Sequence, residues 1–279
     1  MIDAHNHLHD ARLAPHLSEI LPALARLGVE RAVVNGTREE DWPAVAALAA
    51  EHAWVLPSFG LHPWHIHGRS REWFGELERL LAAHPSAGVG EIGLDRWIAD
   101  HDIAAQSEVF RAQLSLAATL NRPVTIHCLR AWGALWEILR AHPLPARGFL
   151  IHAYGGPAEM TRGFLDRGGY FSFNAYFLHE RKAAQREIFR HLPVERILVE
   201  TDAPDLPPPA DRNPHPLTDA AGNAINHPAN LALAYASLAE LRGEALEELI
   251  AQVRENFGRL FDPAALPATG PRDATLPAA

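Results

Sequence analysis

The feature that most constrains this chain is a repeated alternation of short apolar, strand-like runs with amphipathic helical stretches. Strand-like runs fall at Ile2–His7, Arg31–Asn35, Trp54–Phe59, Gly88–Ile92, Val124–His127, Phe149–His152, Tyr170–Asn174 and Ile197–Glu200. Helical periodicity fills Leu17–Leu27, Ala44–His52, Trp73–Ala83, Ile103–Leu120, Ala131–Ala141 and Ala183–His191, with Gly28, Pro85 and Pro143 as stops. Strand, helix, strand at this spacing means crossover units and a parallel sheet. Eight such units predict a single (β/α)8 barrel of the TIM type, a fold that usually takes about 250 residues. The rival is an open doubly wound sheet, which announces itself with a glycine-rich loop after its first strand. Here that strand ends in His5-Asn6-His7 instead.

The segment Pro204–Pro228 is rich in Pro, Asp and Asn, lacks periodicity, and reads as a long functional loop after the eighth strand. Two helices follow, near Ala229–Leu241 and Glu244–Phe261. We therefore expect one barrel domain over residues 1–262 and a mobile Pro/Ala-rich tail over 263–279. Cys128 is the only cysteine, so no disulfide forms within the chain. With no signal-peptide pattern and no apolar run long enough to span a bilayer, a cytoplasmic protein without a membrane partner is expected. No protein partner is implied. The formal net charge of −9 gives an obligate duplex binder no support. A nuclease remains open, because bound cations add positive charge that the count omits.

The chemistry-bearing residues fall at one place in this scheme. A parallel barrel builds its active site from the C-terminal strand ends and the loops that follow them. His5 and His7 end the first strand, Glu91 the fourth, His127 the fifth and His152 the sixth, and Asp202 lies just past the eighth. Two-residue spacing puts His5 and His7 on one face. Imidazoles and carboxylates are the ligands of Zn, Mn and related divalent ions. Six of them exceed one closed tetrahedral site and suit two divalent ions sharing a carboxylate and a water. Asp3 and Glu200 share the inward face and could hydrogen-bond ligand imidazoles. His62 and Arg130 are further candidates for contact with substrate. Asp95 is expected to brace the loop after strand four. Trp64 and Trp97 sit on mouth loops, where they could pack or stack on a base. Lys182, the only lysine, sits away from the strand ends, so no lysine is placed to bridge the ions.

The runs Asp3-Ala-His-Asn-His7, Gly90-Glu-Ile-Gly-Leu-Asp95, Pro123-Val-Thr-Ile-His127 and Glu200-Thr-Asp-Ala-Pro204 together resemble the TatD family of metal-dependent hydrolases. Gly60-Leu-His-Pro63 and Glu255-Asn-Phe257 agree with it, and the resemblance extends from Ile2 to about Phe261. It implies a two-ion site with His5 and His7 on one ion, His127 and His152 on the other, and Glu91 bridging. Asp202 would orient and deprotonate water. It also implies DNA ends as substrate, since characterised members include deoxyribonucleases that trim DNA. The chain departs from the family pattern in three places. Leu129 stands where an Arg is usual, with Arg130 next. Ala153-Tyr154-Gly155 replaces an F-x-G pattern after His152. Trp64 replaces the last His of an H-P-H pattern.

The residues also admit a hydrolase of small amides, esters or lactones on the same barrel, because fold does not fix function. A basic groove beside the site would favour phosphodiesters, and a closed apolar pocket small molecules. A metal-binding regulatory protein without turnover is the third reading. An intact Asp202 speaks against it.

Overall fold

The computed structural model of the protein describes residues 1–261; the expected tail, 263–279, lies outside the described residues. The apolar runs form one eight-stranded sheet in sequence order: β1 (Ile2–Asn6), β2 (Arg31–Asn35), β3 (Val55–Phe59), β4 (Gly88–Asp95), β5 (Val124–Leu129), β6 (Phe149–Ile151), β7 (Gly169–Phe173) and β8 (Ile197–Val199). Every neighbouring pair is parallel. Helices alternate with the strands: α1 (Leu17–Arg26), α2 (Trp42–Glu51), α3 (Trp73–Ala83), α4 (Ile103–Leu120), α5 (Trp132–Ala141), α6 (Thr161–Asp166) and α7 (Ala183–His191). Then α8 (Leu231–Arg242) and α9 (Leu246–Leu260) follow the last strand. Strands such as β6 and β8 are buried along their whole length, as parallel strands covered by helices must be.

The barrel shuts between β1 and β8 through backbone hydrogen bonds just past the end of β8. Asp202 N donates to His5 O at 3.0 Å and His7 N to Ala203 O at 2.7 Å. Beneath them the buried Asp3 carboxylate accepts from Thr201 N (3.0 Å) and Thr201 Oγ1 (2.6 Å), while burial raises its pKa to about 6. Asp3 thus belongs to a polar layer at the seam. Its hydrogen bonds go to Thr201, to Asn6 Nδ2 and to the backbone of His5, and none goes to an imidazole.

Three local features depart from the sequence reading. Helix α6 was not expected; with six residues and only Phe164 buried, it is too short to show a period. The loop after β8 holds a small antiparallel hairpin, β9 (Pro216–Thr218) and β10 (Ala224–Asn226), whose strands are too short to alternate visibly. Strand β4 runs on to Asp95, so Glu91 lies within it and not at its end. The β4–β5 register shifts between Val89 and Ile92, around Glu91. Such irregularities re-aim side chains.

Helix α4 fixes two loops of the mouth. Its buried Gln106 and Gln113, seven residues apart and so on one face, each form a reciprocal pair with a backbone amide. Gln106 Oε1 accepts from Asp95 N (2.7 Å) and its Nε2 donates to Asp95 O (2.9 Å). Gln113 does the same for Leu61, at 2.7 and 3.1 Å.

Candidate metal centre

The barrel brings His5, His7, Glu91, His127, His152 and Asp202 to one rim. Five of the six are buried and His127 is partly so. Glu91 stands between two sets of imidazoles. Its Oε2 lies 3.2 Å from His7 Nε2 and 3.5 Å from His5 Nε2. Its Oε1 lies 2.9 Å from His152 Nε2 and 3.0 Å from His127 Nδ1. Asp202 Oδ1 faces the first set, 3.2 Å from His5 Nε2 and 3.5 Å from His7 Nε2. Three triads have donor atoms all within 4.8 Å of one another: His5, His7 and Asp202; His5, Glu91 and His152; and His62, Glu91 and His127.

The set fits a divalent cation. His5 Nε2 is buried without a hydrogen bond, although carboxylate oxygens stand close by. The far nitrogens of the rings are anchored in ways that aim lone pairs inward, as metal-binding imidazoles require. His7 Nδ1 donates to Asn35 O at 2.8 Å. His127 Nε2 donates to Asp95 Oδ2 at 2.8 Å, which leaves its Nδ1 free to face Glu91. The Asn35 amide nitrogen lies 3.0 Å from His5 Nδ1, and Asn35 Oδ1 has no donor. A half-turn of that amide puts Oδ1 on a protonated Nδ1 and frees the Nε2 lone pair for an ion.

The charges in the cluster are mutually dependent. Burial opposes charge on His7, yet hydrogen bonds to Asp202 and Glu91 carry its pKa well above the ordinary imidazole value. His152 is raised in the same way, against burial, by the charge of Glu91 and its contact with Glu200. His127 is also raised, with Asp95 and Glu91 outweighing burial. Glu91 and Asp202 are pulled below the usual carboxylate range despite their burial, Glu91 chiefly by His152 and Asp202 chiefly by His5 and His7.

The other expected residues take varied places. His62 is buried beside the cluster, its Nε2 3.4 Å from Glu91 Oε1, and burial lowers its pKa to about 4. It stays neutral, so it offers a fifth imidazole donor, in one triad with Glu91 and His127, and is not merely a mouth contact. Glu200 accepts from Ala153 N (2.9 Å) and Asn174 Nδ2 (3.1 Å) and from Ser172 Oγ, and stands 3.7 Å from His152 Nδ1. Arg130 is exposed and stacks over Trp97 at 4.2 Å. Asp95 braces its loop, as read, and also holds His127. Lys182 lies over the Tyr176 ring at 5.3 Å. Asn35 and the two glutamines of α4 were missed. The only sequence sign of the glutamines is a seven-residue polar repeat on an otherwise apolar helix face.

A family model, TatD related DNase, matches residues 2–262. The chain belongs to the TatD family. It is 29% identical to the uncharacterized metal-dependent hydrolase YjjV of Escherichia coli K12, over 94% of this chain and 97% of that protein. The crystal structure of YjjV superposes with a TM-score of 0.85 at 28% identity, covering 94% and 98% of the two chains. The 3′-5′ ssDNA/RNA exonuclease TatD of Erwinia tasmaniensis is 30% identical, over 94% of this chain and 100% of its own length. As a TatD-family member the chain is a metal-dependent hydrolase with a TIM barrel. No helix among the described residues is long and apolar enough to cross a membrane.

Proposed function

We propose that this TatD-family protein is a phosphodiesterase that shortens nucleic-acid strands from a free end at a two-ion centre. The observation that carries it is the division of Glu91: Oε2 faces His5 and His7, and Oε1 faces His127 and His152. A carboxylate placed so is suited to bridging. The name of the Erwinia relative supports a nucleic-acid strand as the substrate class.

In this reading His5, His7 and Asp202 would hold one ion and His127 and His152 the other, with Glu91 available to both. Ions bound there would lower the pKa of a water and polarise the phosphoryl oxygens. Asp202, kept ionised, accepts the proton of the attacking water at a carboxylate oxygen and can pass it to the leaving oxygen. Asp95 and Asn35 hold the His127 and His7 rings in the productive tautomers.

The surroundings of the mouth favour a phosphodiester over a small amide, ester or lactone. A cleft of about 690 Å³ lies between the segments after β7 and β8, lined by Arg181, Arg186, Arg212, His179, Glu180 and Asp211 among others and by none of the six cluster residues. A smaller one, about 190 Å³, is lined by Arg38, Arg69, Trp64 and His65 with Glu39 and Glu40. Neither is an apolar chamber, and arginine forks suit phosphate.

Two expected results test this. First, the chain takes up two divalent ions, and uptake near neutral pH releases protons. The raised imidazoles of His7, His127 and His152 hold their protons below their folded pKa values, so an ion must displace them. Apparent affinity therefore rises with pH and falls as pH is lowered. Titration calorimetry in buffers of different ionisation heat reads both quantities; one ion per chain, or heats independent of buffer, contradicts the scheme. Second, the loaded protein degrades an end-labelled single strand faster than the matching duplex, and leaves a closed single-stranded circle intact. Efficient cutting of the circle rules out action from an end. Failure to cut any of the three returns the reading to a small-molecule hydrolase.

A further inference from the structure

Among the described residues three large apolar side chains are exposed, and two of them, Trp64 and Trp97, stand at the mouth. Trp64, after β3, is 50% exposed, and Trp97, after β4, is 57% exposed. Neither belongs to the packed core. An indole on an ordinary surface loop turns freely, with its N–H in water. Here one fully buried carboxylate fixes both loops: Asp95 Oδ2 accepts from Trp64 Nε1 at 2.7 Å, and Asp95 Oδ1 accepts from Trp97 N at 2.5 Å. The same Oδ2 accepts from His127 Nε2 at 2.8 Å. Gln106 of α4 clamps the Asp95 backbone from behind. The Trp64 ring is therefore held against the cluster, with its centroid 5.1 Å from that of His62 and 6.3 Å from that of His127. On Trp97 the Arg130 guanidinium is stacked at 4.2 Å. It brings a cation to the same edge.

Water disfavours an exposed apolar ring, and ordering its rotamer costs entropy. This fold accepts exposure at both rings and orders the Trp64 indole through its bond to Asp95, while Trp97 is held at its backbone N–H and faces Arg130. The return is a rigid flat surface ready for a planar partner. We propose that Trp64 and Trp97 form a stacking platform for the terminal bases of a single strand, with Arg130 meeting the phosphate between them. The inference rests on the phosphodiesterase reading and specifies what that site grips: the faces of unpaired bases, without regard to their identity.

The test uses full-length protein carrying Asp202→Asn, loaded with Mn²⁺, so that binding is read without turnover. The probes are a short oligothymidylate and an all-abasic strand of equal length and charge. The base-bearing strand binds at least roughly tenfold tighter and quenches tryptophan emission, since each stacked base contributes on that order. Trp64→Ala and Trp97→Ala each reduce this preference by roughly tenfold, and Trp64→Phe, which keeps a ring, retains most of it. Metal content is measured alongside, because Trp64→Ala removes a bond to Asp95. Trp97→Ala leaves the Asp95 side chain its backbone partner, so it decides the matter if Trp64→Ala loses metal. Equal affinity for the two strands, or a preference that survives in Trp97→Ala, overturns the platform. If the protein without the Asp202 substitution still cuts strands while showing equal affinity, only the platform falls. If it neither binds nor cuts them, both readings fall.

Discussion

Asp202→Asn is expected to lower turnover by roughly 10²–10⁴-fold, the range typical of a lost general base, while most of the metal stays bound. The substitution preserves shape and removes basicity. The backbone of residue 202 remains tied to His5 O at 3.0 Å, so the seam of the barrel is not asked to move. The four histidines and Glu91 stay in place around the proposed centre. Glu91→Gln makes the contrast, since a carboxylate that faces both sets of imidazoles loses its charge to both ions and metal content falls with activity. Metal analysis and steady-state rates on the two variants separate the roles. An Asp202→Asn protein with wild-type turnover would remove Asp202 from the chemistry.

Gly93→Ala is expected to damage the fold and the site together. Gly93 pairs with His127 across β4 and β5 and has φ +150. A Cβ built there meets His127 O at 1.9 Å, against backbone and not a side chain that could turn away. The strands must part, at a cost of roughly 3 kcal/mol or more for overpacking of this kind. For a chain of this size that is a fall in Tm of roughly 6–12 °C. Because His127 rides on the displaced strand, metal uptake should weaken as well. Thermal melting with and without metal measures both. An unchanged Tm would mean that β4 and β5 separate at this point without cost.

What the sequence made legible followed from periodicity. Strand and helix repeats are properties of each segment alone, so the barrel and the common rim of His5, His7, His127, His152 and Asp202 could be read from spacing. What escaped depends on how segments meet. Glu91 looked like a strand end because Ile92 closes the apolar run, yet β4 continues to Asp95 through a register shift that no local pattern signals. His62, before a proline, read as a mouth contact. Its burial against Glu91 depends on Leu61 being clamped by Gln113, a residue on a distant helix. Asn35 closes β2 with an ordinary turn-forming residue type. Its importance comes from the two imidazoles that β1 sets beside it.

The seam between β1 and β8 gives the chain a temporal order. His5 and His7 lie nearly 200 positions before Asp202, a separation like that spanned by the Thr201–Asp3 bond. Closing so long a loop is a late and entropically costly event in folding. Until it happens, the triad of His5, His7 and Asp202 does not exist. An ion held by that triad would then report that the barrel has closed. Its binding free energy would help hold shut the joint where the two ends of the barrel meet.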